Sequence, residues 1–194
     1  MPRPPLTYLI LIALLFVTPL ECRAAGEWFG DHSVPSSDGR MNDALPLGDS
    51  LIVCGDFLHV GSVAARNLAL WDGQSWSEFG GGANGNVHGL TLWRGDLVAA
   101  GEFSQIGGVA AQHVARWDGS RWQALDIAWP EQGYAFDVGS DGSSLLVAGT
   151  WLEWTPDQVW HTTLHRRVGA EWQTAGFDGA TAEFSLERLV DADG

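Results

Sequence analysis

The chain has 194 residues, 24 acidic against 10 basic ones, and a net charge of −14. That balance repels phosphate backbones and excludes nucleic acid as a natural partner. With 25 glycines, 11 tryptophans and no long stretch of helical period, it is expected to fold as strands.

Residues 1–24 read as a signal peptide. Arg3 precedes an apolar run from Leu6 to Val17, Pro19 follows, and Cys22-Arg23-Ala24 offers small residues at both positions a signal peptidase reads. Cleavage is expected after Ala24. The apolar run is about 12 residues, short of the roughly 20 that cross a bilayer, so no stable membrane insertion is expected after cleavage. Glu21 stands where a lipobox needs a small residue, which argues against a lipid on Cys22. The expected location is the periplasm, the cell surface or the medium. Without residues 1–24, Cys54 is the one cysteine left, so an intramolecular disulfide is excluded. Its setting, "LIVCGDF", predicts a small buried hydrophobe.

Residues 25–194 are organised by a repeat. "AGEWFG" places Trp28 on the last strand of a unit near 26–30. Leu51–Phe57 then matches Leu97–Phe103 at an offset of 46, and "WDGQSW" (Trp71–Trp76) matches "WDGSRW" (Trp117–Trp122) at the same offset. Asp56 and Glu102 recur just before the strand-end aromatics Phe57 and Phe103, where loop hydrogen bonding is expected of them rather than calcium binding. A third copy is more diverged. "LLVAGTW" ends at Trp151 at an offset of 48, and "HRRVGAEW" aligns Trp172 with Trp122 at an offset of 50, with Arg167 and Val168 in place of Trp117 and Asp118. The extra residues are expected in a loop around Glu153–Trp160. Leu186–Gly194 matches Val87–Gly95, so the first strand of a further unit is expected at about 184–194.

One unit reads as four strands: Val87–Trp93, Asp96–Phe103, His113–Trp117 and Trp122–Asp126, with a small-residue loop "SQIGGVAA" between the second and third. Asp72-Gly73 and Asp118-Gly119 mark the last hairpin of each unit. A two-residue turn would pair Trp71 with Gln74; a four-residue loop would pair Trp71 with Trp76. Either register sets both tryptophans on one face of the sheet, as a wedge against a neighbouring unit.

Four strands in roughly 46 residues is the size of a propeller blade. The unit "LVAAGEFSQIGGVAAQHVARWDGSRWQAL" resembles the kelch-like β-propeller repeats of secreted bacterial proteins, most clearly over residues 51–125 and more loosely over 43–175. It departs from them at the strand end, where Cys54-Gly55 and Ala100-Gly101 stand for Gly-Gly. The resemblance implies an all-β fold of four-stranded antiparallel blades, at about 43–80, 87–126 and 134–175, as an incomplete ring. It further implies a binding or scaffold surface for a protein or glycan ligand.

No catalytic, cofactor-binding or metal-ligating set emerges from the residues. "DGQSW" is similar to the second half of the Asp boxes of sialidases, but Asp72 abuts Gly73, and Tyr134 is the only tyrosine beyond the signal segment to serve as nucleophile. His161 and His165 lie four apart on an expected strand, about 13 Å from each other and too far for one ion, so they read as surface histidines. His32, His59, His88 and His113 do not recur as histidines. Trp93, Trp129, Trp154 and Trp160 fall outside the repeat slots and are candidates for sugar stacking, though packing explains them more simply. The alternative function is a propeller enzyme (a glycan-active hydrolase, lyase or oxidase) with its catalytic residues in loops or beyond residue 194. A converging set of acidic, histidine and arginine residues at the mouth of the ring would favour it.

Overall fold

The computed structural model describes residues 36–127, 133–153 and 159–177. The signal segment, Trp28, His32, Trp129, Trp154 and the strand expected at 184–194 lie outside them. Within them the chain is all-β, with no helix.

In chain order the first sheet takes β1 (Arg40–Leu47) and β2 (Ser50–Asp56). A short hairpin, β3 (His59–Val60) and β4 (Val63–Ala64), follows, and the sheet resumes with β5 (Leu68–Trp71) and β6 (Trp76–Glu78). The second repeats the plan with β7 (Val87–Trp93), β8 (Asp96–Gly101), the hairpin β9 (Gln105–Ile106) and β10 (Val109–Ala110), then β11 (Val114–Trp117) and β12 (Trp122–Ala124). The third has β13 (Gly133–Ser140), β14 (Ser144–Glu153), β15 (Val159–Val168) and β16 (Glu171–Phe177). Each sheet is antiparallel, with its strands side by side in chain order.

One turn takes the wider of its two expected registers, and another differs from expectation. Trp71 pairs with Trp76 and Trp117 with Trp122, so the loop between them has four residues and not two. Only the glycine of each Asp-Gly takes a positive φ, +94° at Gly73 and +96° at Gly119. Both aspartates instead act through their carboxylates. Asp72 Oδ1 accepts the N–H groups of Gln74 and Ser75 at 2.8 Å, and Asp118 Oδ1 those of Ser120 and Arg121 at 3.0 Å. This is an Asx-type turn, which stabilises the wider loop. Conversely, "SQIGGVAA" is no loop but the hairpin β9–β10, turned at Gly107-Gly108 with both φ positive, the geometry that two-residue hairpins require.

The third sheet departs in a different place. Here β14 and β15 run on as ten-residue partners to the pair Glu153–Val159. Residues 159–160, expected in the inserted loop, are therefore strand. Trp151 does not fill the role of Phe57 and Phe103, which are buried beside the short hairpins. It lies within the extended ladder, stacked on its partner His161 with ring centroids 4.3 Å apart.

Alternation along the second strands sets the packing. Ile52 and Cys54 share one buried cluster with Leu97, Ala99, Phe103 and Trp122. Val98 and Ala100, on the opposite face of β8, share another with Leu145, Val147 and Trp172. The second sheet is thus covered on both faces, by the first sheet and by the third. Val53, Ala69 and Trp76 lie on the remaining face of the first sheet. Contacts between neighbouring sheets gather on the first strands: β7 lies against β1 on one side and β13 on the other.

The Trp117–Trp122 pair lies between the first and second sheets, whereas Trp76 packs among residues of its own sheet. Phe79, leaving the first sheet, sits 5.2 Å from the Trp117 ring and 6.0 Å from the Trp122 ring. The Trp122 indole N–H donates to the Gly80 carbonyl at 3.1 Å. Burying each such ring contributes about 2–3 kcal/mol. In the third sheet Arg167 takes the first tryptophan's place, its guanidinium 5.4 Å from the Trp172 ring and 5.7 Å from that of Trp93. A cation over aromatic faces replaces the ring pair. Trp93 is consequently buried, and is not a free stacking platform.

Candidate functional site

Each first strand carries one β-bulge at the corresponding place: between Met41 and Asp43, between Val87 and Gly89, and between Ala135 and Asp137. A bulge sets two residues against one and re-aims a side chain. The extra residues are Asn42, His88 and Phe136. Of the residues just before the bulges, Val87 and Ala135 are completely buried, while Met41 in the first sheet is exposed. The backbone device is therefore constant while its side chain changes from amide to imidazole to phenyl.

Polar side chains join these positions across sheets. Asn42 Nδ2 donates to Asn86 Oδ1 and to the Val87 carbonyl, both at 2.8 Å, tying the first sheet to the second. Asn86 Nδ2 lies 3.5 Å from His88 Nε2, and that nitrogen pairs with Glu102 Oε1 at 2.8 Å. The His88 ring stands 5.8 Å from that of Tyr134 in the third sheet. The row Asn42–Asn86–His88–Glu102–Tyr134 thus spans all three sheets at the end where the first strands begin and the second strands finish. The Glu102 carboxylate reaches an imidazole on the neighbouring strand rather than a loop. Asp56 occupies its place in the first sheet, opposite Arg40.

The residues singled out by the repeat lie away from this row. Trp71, Asp72, Gly73 and Trp76, with Trp117, Asp118, Gly119 and Trp122, build the last hairpins of their sheets. Phe57, Phe103 and Trp172 belong to the buried clusters. Asp118 has its carboxyl held far below the ordinary range, chiefly by the Ser120 hydroxyl and then by backbone N–H groups, the signature of a turn anchor. Burial pushes the Cys54 thiol far up, which makes it inert.

The histidines divide. His161 pairs with Glu153 at 2.9 Å beneath Trp151. His165 is buried, not at the surface, between the Thr163 and Thr174 hydroxyls at 3.1 and 2.9 Å. It fills the slot of Ala69 and Ala115. Burial lowers its pKa below the ordinary 6.5, as it does for His113.

One recurring pair shows no plain signal in the sequence. Asp38 Oδ1 accepts the N–H groups of Leu58 and His59, and Asn84 Oδ1 those of Ser104 and Gln105, again 46 residues on. Aspartate and asparagine do the same work there, so identity matching passes over them. The bulges are equally silent, since their residues share no chemistry.

Among the described residues no group of three or more histidine, cysteine or acidic side chains is placed to hold a metal, and no helix is long and apolar enough to cross a membrane. The described chain is therefore an all-β protein of successive four-stranded antiparallel sheets, carrying one polar row across them. No protein-family model matches it, and no curated protein matches it in sequence.

Proposed function

We propose that the chain is an exported, non-catalytic β-propeller module of kelch-like type, whose blades are the three sheets and whose role is to bind a protein or glycan ligand. The observation that carries this reading is the row at the bulges. Its backbone repeats in every sheet while its side chains differ, as a scaffold with a tailored surface requires. Radial placement is supported by sheets that cover each other face to face and by inter-sheet contacts gathered on the first strands. The repeat of 46 to 50 residues, the resemblance of 51–125 and the leader-like 1–24 support the rest. A charge of −14 disfavours partners presenting phosphates.

The test expresses the complete gene in its own host. N-terminal sequencing of protein recovered outside the cytoplasm should start at Ala25, and its crystal or cryo-EM structure should show the sheets around one axis. An unprocessed cytoplasmic protein, or sheets stacked without a common axis, would refute the reading.

A further inference from the structure

We infer that the row Asn42–Asn86–His88–Glu102–Tyr134 is a binding site for a neutral, polyhydroxylated ligand, a sugar ring of a glycan; this assignment rests on the binding-module reading above. Asn42, His88 and Glu102 each commit one polar atom to a neighbour and leave another unused among the described residues. Asn42 uses Nδ2 and leaves Oδ1; His88 uses Nε2 and leaves Nδ1; Glu102 uses Oε1 and leaves Oε2. Asn86 accepts through Oδ1, and its amide nitrogen has only the 3.5 Å approach to His88. The internal bonds hold these groups in place before any ligand arrives, so little side-chain freedom is lost on binding.

The unused atoms select the ligand class. Three are acceptors (Asn42 Oδ1, Glu102 Oε2 and His88 Nδ1, since the ring's Nε2 carries the proton donated to Glu102), and the Asn86 amide is a donor. Hydroxyl groups donate and accept at once, so they can serve the three acceptors and also accept from the Asn86 amide. An ammonium group only donates, and a carboxylate or phosphate only accepts and meets the Glu102 charge. The Tyr134 ring closes the row with an aromatic surface suited to the C–H face of a sugar. The site is open: the side chains of His88 and Glu102 are 22% and 47% exposed. None of these five residues is needed by the wedge or the buried clusters, so they are free to serve a ligand.

The test titrates isotope-labelled protein with neutral glucose, mannose and galactose hexasaccharides, following amide shifts by NMR and heat by calorimetry. At least one should saturate, with shifts centred on residues 86–88, 102 and 134. His88→Leu and Glu102→Leu should each weaken binding at least tenfold and leave the melting temperature unchanged, Glu102→Gln should weaken it less, and Arg121→Ala should not matter. Saturation by none of the three, shifts centred elsewhere, or binding that survives both leucine variants overturns the assignment. Because the wild-type shift map locates the site by itself, the outcome does not depend on any variant folding. Failure of the sugars in a protein that is exported and ring-shaped removes this ligand alone and leaves the binding-module reading intact.

Discussion

Replacing Trp122 by alanine removes a side chain that is 2% exposed and joins two sheets at once. Its ring faces Phe79 at 6.0 Å in an edge-on geometry and Trp117 at 5.4 Å, and its N–H holds the Gly80 carbonyl. Truncating a buried tryptophan costs about 3–5 kcal/mol, a large part of the roughly 5–15 kcal/mol by which a domain is stable. Phe79→Ala should cost about 3–4 kcal/mol alone. Because the two rings touch across the sheet boundary, the double variant should lose about 1 kcal/mol less than the sum. Urea unfolding followed by circular dichroism measures all three, with the midpoint shifting at constant slope. A loss below about 1 kcal/mol for Trp122→Ala, or additivity within about 0.3 kcal/mol, would refute the wedge as the link between sheets.

Other outcomes follow from the same contacts. Gly107→Ala should destabilise more than Gly119→Ala, although both have positive φ: a Cβ at Gly107 would lie 2.4 Å from Trp122 Cδ1, while Gly119 faces open space. Thermal melts of the two variants decide this, and equal losses would contradict it. Stability should fall on acidification in two windows. His113 and His165 titrate below 6.5 when folded, so the unfolded chain takes up protons first; full stability holds above about pH 6.5 and declines below it. Asp38, lowered to about 2 chiefly by its His59 bond, and Asp118 add stability that is present above the ordinary 3.8 and lost on further acidification. A melting temperature that rises from pH 7 to 5 would count against the histidine window. Asp118→Asn should melt above Asp118→Ala, because the amide oxygen can still accept the Ser120 and Arg121 N–H groups. Cys54 should resist a thiol reagent in the native protein and react fully in urea, being buried with its thiolate disfavoured.

The turns show where sequence reasoning succeeds and where it stops. Asp-Gly at 72–73 left a two-residue turn and a four-residue loop both open, and the carboxylate, by capturing two N–H groups downstream, selects the four-residue loop. Gly107-Gly108 looked like slack and is the tight hairpin itself, because two-residue strands are too short to display alternation. Trp151 was aligned with Phe103 by its place after a glycine strand end, but β14 continues for two residues beyond it. The candidate site was the least legible part. Asn42, His88 and Phe136 have no common chemistry, and a bulge is a property of pairing between strands, not of either strand alone.

The sequence by itself determined the strand class and the period of the units, and it singled out Trp117 and Trp122, which lie between two sheets. Large apolar residues recurring at one offset can be buried only by a recurring fold, so that much is written locally and repeated. Only the tertiary structure decided which side chains of different sheets meet. Asn42 reaches Asn86 and His88 reaches Tyr134 because packing brings the first strands together. Those residues are about 45 positions apart along the chain, and no local pattern ties one to the other.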